Sequence, residues 1–318
     1  SDQILYGPLS AYLTHALTGT AAIDESIAGR TLFFNIHSSK WSKKCLDLFQ
    51  IQESGLPLLK PVLQNYGLIT GTNLSLQCVI GDQQAALIGQ VGITQGSSAA
   101  NFGTSASVLY NVGENPAVVD GLISSVLFSD GKQRKHVVEG TINACNSLFY
   151  HLEKALRIPH NNMKWNERCA NQSTNGIYIP GFSGLAAPYW KSGFDDVYWN
   201  LDQKDKNAIV RAGMESIGFL VKDILDQLQP IMESNLESLS ASGGGARSSL
   251  LQFIADLTGI PVVHSAMKDH TAYGVFRLLR SKNDNDIYEK NQIFNPKQNK
   301  TVMENKLTDW HKALESMV

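Results

Sequence analysis

Apolar positions along this chain fall into two alternating rhythms, and the alternation predicts an α/β protein. The opening stretch SDQILYGPLSAYLTHALTG predicts a helix from about Leu9 to Leu17, closed by Gly19 at the C′ position that favours glycine. RTLFFNIHSSKW then gives an apolar, strand-like run before a turn, and helices of the SKKCLDLFQI type follow until the prolines of GLPLLKP stop them. The β-prone residues Gln77 to Ile80 end in Gly81 and Asp82, and a helix-forming stretch starts near Gln84. In SSAANFGTSASVLYNVG two β-prone runs meet at a tight turn containing Gly103 and Thr104.

The second half repeats these rhythms. HVVEGTINACNSLFYHLEKAL reads as strand, turn and helix, and GIYIPGFSGLAAPYW as a strand followed by an aromatic, proline-bearing loop. Ile209, Ala212, Ile217, Leu220, Val221, Ile224 and Leu228 recur at helical spacing, with Asn207 as the candidate cap. SLSASGGGARSSLLQFIADLTGIPVV is the clearest strand–helix–strand unit. It predicts a helix from about Ser248 to Leu257, Gly259 as its cap and a strand from Ile260 to Val263. The polar segment SKNDNDIYEKNQIFNPKQNK reads as a solvated loop, and DWHKALESMV as a closing helix.

Composition narrows the class. At 318 residues, 43% hydrophobic and 18% charged, the chain is long enough for two domains with a substantial core. Its 27 basic and 29 acidic residues leave a net charge of −2, which gives no electrostatic footprint for nucleic acid or an anionic membrane. Cys45, Cys78, Cys145 and Cys169 show neither a CxxC pair nor metal-ligand spacing, and predict reduced thiols in a cytoplasmic protein. The uncharged stretch from Gln83 to Gly113 is too rich in Gly, Ser, Thr, Asn and Gln to read as a membrane span.

Three features carry candidate chemistry. Gly243, Gly244 and Gly245, between a strand and a helix, suit close backbone approach to a nucleotide, with a helix N-terminus favouring negative charge behind them. A bare turn explains them equally well, since glycine is the default residue of strained turns. The Gly103–Thr104 turn offers N–H donors and a hydroxyl to a phosphate, although most such turns are only turns. Asp82, read as following a buried strand where open α/β sheets place ligand chemistry, is a candidate general base for a substrate hydroxyl. His37 and His264 read as structural, Cys145 as core, and Tyr189 and Trp190 either line a cleft or anchor a loop.

Taken together, RTLFFNIH, GDQQAALIGQ, FGTSAS, EGTINA, IPGFSGLAAPYW, RAGMESIGF, GGGARS…LQFIAD and TAYG resemble, in order and spacing, the FGGY carbohydrate kinases. The GDQQAAL and RTLFFNIH stretches are similar to the glycerol kinase-like branch of that family. The resemblance implies a two-domain actin/hexokinase/Hsp70-like (ribonuclease H-like) fold with ATP and substrate between the domains. Residues 1–91 would be the remainder of an N-terminal domain whose start is missing, and residues 92–318 the C-terminal, nucleotide-binding domain. It implies Asp82 as the base and Gln83 beside it on the substrate. Gly103 and Thr104 would hold the terminal phosphates. Gly244, Gly245 and Ala246 would lie against the adenosine, with Asn146 and Tyr150 near the nucleotide and Mg²⁺ bridging the phosphates. Family members often form homodimers or homotetramers.

Departures from the pattern bear on the substrate. The first phosphate loop of the family has no counterpart here, so the stretch alone is expected to turn over ATP poorly. Ser107 stands where glycerol kinases carry a phenylalanine against the glycerol carbons. Asn146 replaces a glycine, Tyr150 a glutamine, and Lys191-Ser192-Gly193 an acidic, arginine-bearing stretch. These leave open glycerol, another small polyol, a pentulose, heptulose or tetritol, or an inactive, nucleotide-sensing relative.

Overall fold

A computed structural model describes residues 5–280 and 291–317. Its centre is a seven-stranded mixed sheet built from β1 (Ser98–Phe102), β2 (Ala106–Gly113), β3 (Ile123–Ser129), β4 (Arg134–Ile142), β5 (Leu239–Ser242), β6 (Val262–His264) and β7 (Gln292–Phe294). The spatial order is β7-β6-β5-β1-β2-β4-β3. β5 runs parallel to both β1 and β6, whereas β1–β2, β2–β4, β4–β3 and β6–β7 are antiparallel.

The helices that matter for the site are α1 (Leu9–Thr18), α2 (Asp82–Val91), α3 (Asn146–Ala155), α4 (Lys206–Leu228), α5 (Ser248–Thr258), α6 (His270–Leu279) and α7 (Lys300–Glu315). Strand alternation splits the sheet's side chains between two cores. Ala100, Phe102, Val108, Tyr110 and Val138 face α3, α4, α5 and α7 through Leu148, Ile217, Ile254 and Trp310. Ala99, Leu109 and Val137 face the other way, onto Val62 and onto Leu87 and Ile88 of α2. Covering both faces is what a sheet with parallel strands needs, and it explains why β1 and β2 read as nearly unbroken small and apolar runs.

The first part of the chain adds two small strand pairs. Ala22–Asp24 lies parallel to Leu58–Lys60, and Phe34–Asn35 pairs with Lys40–Trp41, so the apolar RTLFFNIH run contributes only a two-residue ribbon. Helix α1 ends on Gly19 at φ 76, the left-handed cap its sequence predicts. Gly259 closes α5 in the same way at φ 71.

Three expectations need correction. Gln77–Ile80 is not a sheet strand: it is held by a Leu63–Cys78 bridge and the Val79 N–H to Val62 carbonyl bond, because the neighbouring chain is another loop rather than a strand. Helix α4 is capped by Asp205, whose carboxylate accepts from the Asn207 and Ala208 N–H groups at 3.0 Å each, and not by Asn207. The polar tail contains a strand: Gln292–Phe294 pairs with β6 and buries Phe294. Residues 281–290 of that tail lie outside the described residues. Among the described residues, no helix is long and apolar enough to cross a membrane.

Candidate active site

Asp82 opens α2 and is exposed; its Oδ1 accepts from the Gln83 N–H at 2.8 Å. The residue before it is pinned from below. Gly81 donates its N–H to Ser26 Oγ at 2.9 Å, and Ser26 in turn donates its hydroxyl to Asp24 Oδ1. The same Asp24 oxygen accepts from the Ser26 and Ile27 N–H groups at 2.9 and 3.1 Å, capping the Glu25–Ala28 turn of helix. Asp24 is wholly buried and its second oxygen has no partner. Burial raises its carboxyl to about 6, against the opposing pull of the Ser26 and Ile27 bonds.

Two ion pairs tie this early segment to β4. Arg30 donates to Glu139 at 2.7 Å, and Arg134 donates twice to Glu25 at 2.7 and 2.8 Å. Glu139 is buried, and burial raises its pKa, opposed by Arg30 and reinforced by the negative charge of Asp82. Asp82 therefore stands within electrostatic reach of the Arg30–Glu139 pair. Sequence reading missed both residues, although an arginine and a glutamate that bracket the two strongest family-like stretches were a usable signal.

Gln83 follows Asp82 and turns its Oε1 to the sheet. Asn101 Nδ2 and Ser107 Oγ both donate to it, at 3.2 and 3.1 Å. Asn101 and Ser107 are direct partners across β1 and β2. Ser107 is buried, and its hydroxyl is committed to Gln83.

The β1–β2 turn supplies the next surface. Thr104 is exposed, but the Gly103 N–H is donated to the Ser105 carbonyl at 2.8 Å, so this donor is spent inside the turn. The turn's carbonyls face the start of α3. Gly103 accepts from the Asn146 N–H at 3.1 Å, and Thr104 from the Cys145 and Ser147 N–H groups at 3.2 and 3.1 Å. Backbone alone thus caps a helix whose Cys145 has no capping side chain.

The glycine loop packs behind that turn. Gly243 adopts φ 96, and a Cβ there would stand 2.4 Å from the Phe102 carbonyl oxygen and 2.7 Å from Asn101 Oδ1. Gly245 donates its N–H to the same Phe102 carbonyl at 2.7 Å, and a Cβ on it would meet Cys145 Sγ at 2.8 Å. Both positions exclude a side chain. Gly244 is exposed, with Asn146 Nδ2 3.8 Å from where its Cβ would be. Ala246 completes the loop through its N–H to the Gly243 carbonyl at 3.1 Å.

Gly103, Thr104, Asn146 and Gly244 accordingly lie together, with Gly245 buried beneath them and Ala246 half-buried beside it. Tyr150, one helical turn beyond Asn146, lies at its rim with its ring stacked on His160 at 6.2 Å. Arg247 turns inward, its guanidinium 4.4 Å from the Phe149 ring centre. Tyr189 and Trp190 anchor a loop: the Tyr189 hydroxyl donates to Asp223 at 2.8 Å and the Trp190 indole to the Gly121 carbonyl at 2.7 Å. Lys191, in the departing stretch, donates to the Met317 carbonyl at 2.9 Å.

Comparison with known proteins places the chain in a family. The model of the FGGY family of carbohydrate kinases, N-terminal domain, matches residues 3–89, and that of the C-terminal domain matches residues 98–279. A glycerol kinase of Limosilactobacillus reuteri (strain DSM 20016) is 31% identical over 284 residues, covering 86% of this chain and 57% of the relative. A glycerol kinase of Caldanaerobacter subterraneus subsp. tengcongensis is 32% identical over 332 residues, covering 98% of this chain and 67% of the relative. The chain thus spans 57% to 67% of the length of these two relatives. The crystal structure of Plasmodium falciparum glycerol kinase with ADP superposes with a TM-score of 0.85 at 26% identity, over 98% of this chain and 66% of that one. A ligand-bound xylulose kinase from Lactobacillus acidophilus shares the fold, with a TM-score of 0.80 at 18% identity over 96% of this chain and 65% of that one.

Proposed function

The chain belongs to the FGGY family of carbohydrate kinases, and from that premise we propose that it transfers the terminal phosphoryl group of ATP to a hydroxyl of a small polyol or sugar. The observation that carries this reading is the exposed Asp82 carboxylate at the start of α2, beside Gln83 and one hydrogen-bonded step from the strands that end in the Gly103–Thr104 turn. Phosphoryl transfer asks a protein mainly for positioning and charge management, which one carboxylate and a set of small polar turns supply.

Each residue then has a task. Asp82 accepts the proton of the attacking hydroxyl, a contribution of roughly 10²–10⁴ in rate for general bases. Gln83 orients the substrate. Thr104 offers its exposed hydroxyl to the terminal phosphates, while the Gly103 N–H is held within the turn. Gly244 and the small Ala246, over the buried Gly245, lie against the adenosine, with Asn146 and Tyr150 at the margin. Among the described residues no group of three or more His, Cys, Asp or Glu side chains is placed to hold a metal. The Mg²⁺ that the kinase reading calls for would be held chiefly by the ATP phosphates. When bound, the ion would neutralise phosphate charge, and Asp82 stays the base.

The domain assignment that goes with this reading gives residues 1–91 to the substrate-side domain and 92–318 to the nucleotide-side domain. Ser107, small and buried where glycerol kinases carry a phenylalanine, favours a substrate other than glycerol within the same class. The test is substrate-dependent ADP release by the full-length protein with glycerol, erythritol, D-xylulose and sedoheptulose, compared with its Asp82→Asn variant. Turnover lowered at least a hundredfold in Asp82→Asn supports the reading. Undiminished turnover removes Asp82 from the chemistry. ATP binding without turnover of any of the four favours a nucleotide-binding relative, the reading that the Asn146 and Tyr150 side chains at the adenosine surface also favour.

A further inference from the structure

Gln83 presents a choice that its amide cannot make alone: either its oxygen or its nitrogen can face the sheet, and the two ends have opposite hydrogen-bonding character. In the structure its oxygen faces two neighbours. Ser107 Oγ and Asn101 Nδ2 both approach Oε1, at 3.1 and 3.2 Å. They come from residues paired directly across β1 and β2, so their side chains share one face of the sheet and converge on a single acceptor. The planar amide consequently turns its two N–H donors away from the sheet.

Asn101 is itself held by its surroundings. Its Oδ1 lies against Gly243, where a Cβ would come to 2.7 Å, so the glycine leaves room for this side chain. β1 pairs with β5 at this level, Asn101 opposite Ser242, and the strand end is thereby fixed from both sides. A polar pair inside a strand run of alanine, phenylalanine and valine requires a partner, and Gln83 is that partner.

We propose that Asn101 and Ser107 are positioning residues that lock the Gln83 amide with its N–H donors facing away from the sheet, where they are offered to the substrate. The inference rests on the kinase reading for its substrate half only. An acceptor, the Asp82 carboxylate, then sits one residue from a fixed donor, the Gln83 amide nitrogen. Ser107 acts through Gln83.

Nuclear magnetic resonance on the isotopically labelled chain tests the lock without any substrate. The Gln83 side-chain NH₂ pair, assigned by its disappearance in Gln83→Ala, is expected to move and broaden in Ser107→Ala and in Asn101→Ala, and to persist in Ser107→Thr. An unmoved pair in both alanine variants overturns the proposal. Kinetics then test the substrate half, with whichever of glycerol, erythritol, D-xylulose or sedoheptulose is turned over. Ser107→Ala should raise the KM for it about fivefold, the size of one neutral hydrogen bond, with the KM for ATP unchanged. That effect should vanish in a Gln83→Ala background. An equal effect with and without Gln83 means that Ser107 works by another route and overturns the assignment. Absence of all turnover in the full-length protein refutes the kinase reading and leaves the lock to be decided by the resonance experiment.

Discussion

Gly89 in α2 and Gly274 in α6 meet backbone to backbone. A Cβ on Gly89 would stand 2.1 Å from the His270 carbonyl oxygen, and one on Gly274 would stand 1.9 Å from that of Ala85. Because α2 begins at Asp82, this crossing sets where the candidate base sits relative to the rest of the sheet. Alanine is intrinsically better than glycine in a helix interior by about 1 kcal/mol, so a helix without this contact would gain stability from the change. Here the sign reverses. Gly89→Ala and Gly274→Ala should each destabilise by about 1–3 kcal/mol, as overpacking does, read as a lowered urea midpoint. A raised midpoint in either variant would mean that the two helices do not cross this closely.

Thr104 bears on the nucleotide. It is exposed at the tip of the β1–β2 turn, and Thr104→Val changes its shape very little while removing the hydroxyl. The expected outcome is a KM for ATP raised about five- to tenfold, with stability within about 0.5 kcal/mol of the parent. Unaltered nucleotide kinetics would take the phosphate role away from this residue.

Much of this site was legible because glycine and tight turns announce backbone requirements directly. Gly243 needs a positive φ and Gly245 a missing side chain, and both show in the sequence as a run of glycines between strand and helix. The helix starting at Asp82 was legible for a similar local reason. What stayed hidden depends on partners distant in sequence. Gly89 reads locally as a weak point in a helix, and only α6 explains it. Asn101 reads as an odd polar residue in an alanine-rich strand until Gln83 is placed beside it. Val79 and Ile80 carry strand propensity but meet a loop, so propensity had nothing to pair with. Gln292–Phe294 failed in the opposite direction, since a polar neighbourhood concealed an edge strand that buries only Phe294.

Asp24 gives the fold a distinctive pH dependence. Its carboxyl is raised from 3.8 to about 6 in the native state, so between those values the folded protein holds a proton that the unfolded chain has released. The contribution of this group to stability then falls as pH rises through that window, with a slope approaching about 1.4 kcal/mol per pH unit. Asp24→Asn keeps an oxygen for the Ser26 and Ile27 N–H groups and carries no titratable proton. Denaturation midpoints measured from pH 4 to 6 should show the variant gaining on the parent as pH increases. A constant difference across that range would mean that Asp24 titrates normally.

The C-terminal helix offers the last prediction. Asp223 on α4 accepts from Trp310 Nε1 at 2.7 Å and from the Tyr189 hydroxyl at 2.8 Å, and its other oxygen lies 2.8 Å from His311 Nε2. The Asp223 hydrogen bond raises the His311 pKa, burial opposes it, Asp226 adds to the rise and Lys222 detracts from it. A histidine raised in the folded state contributes fully below its unfolded pKa, near 6.5, and loses that contribution as pH rises through the higher folded value. Because the imidazole is 45% exposed, solvent screening holds the contribution to about 1 kcal/mol at most. Thermal midpoints should therefore decline from pH 6 to 8 in the parent, and His311→Gln should flatten that decline while Trp310 and Tyr189 keep α7 and the aromatic loop on Asp223. An equally steep decline in His311→Gln would show that another group carries it.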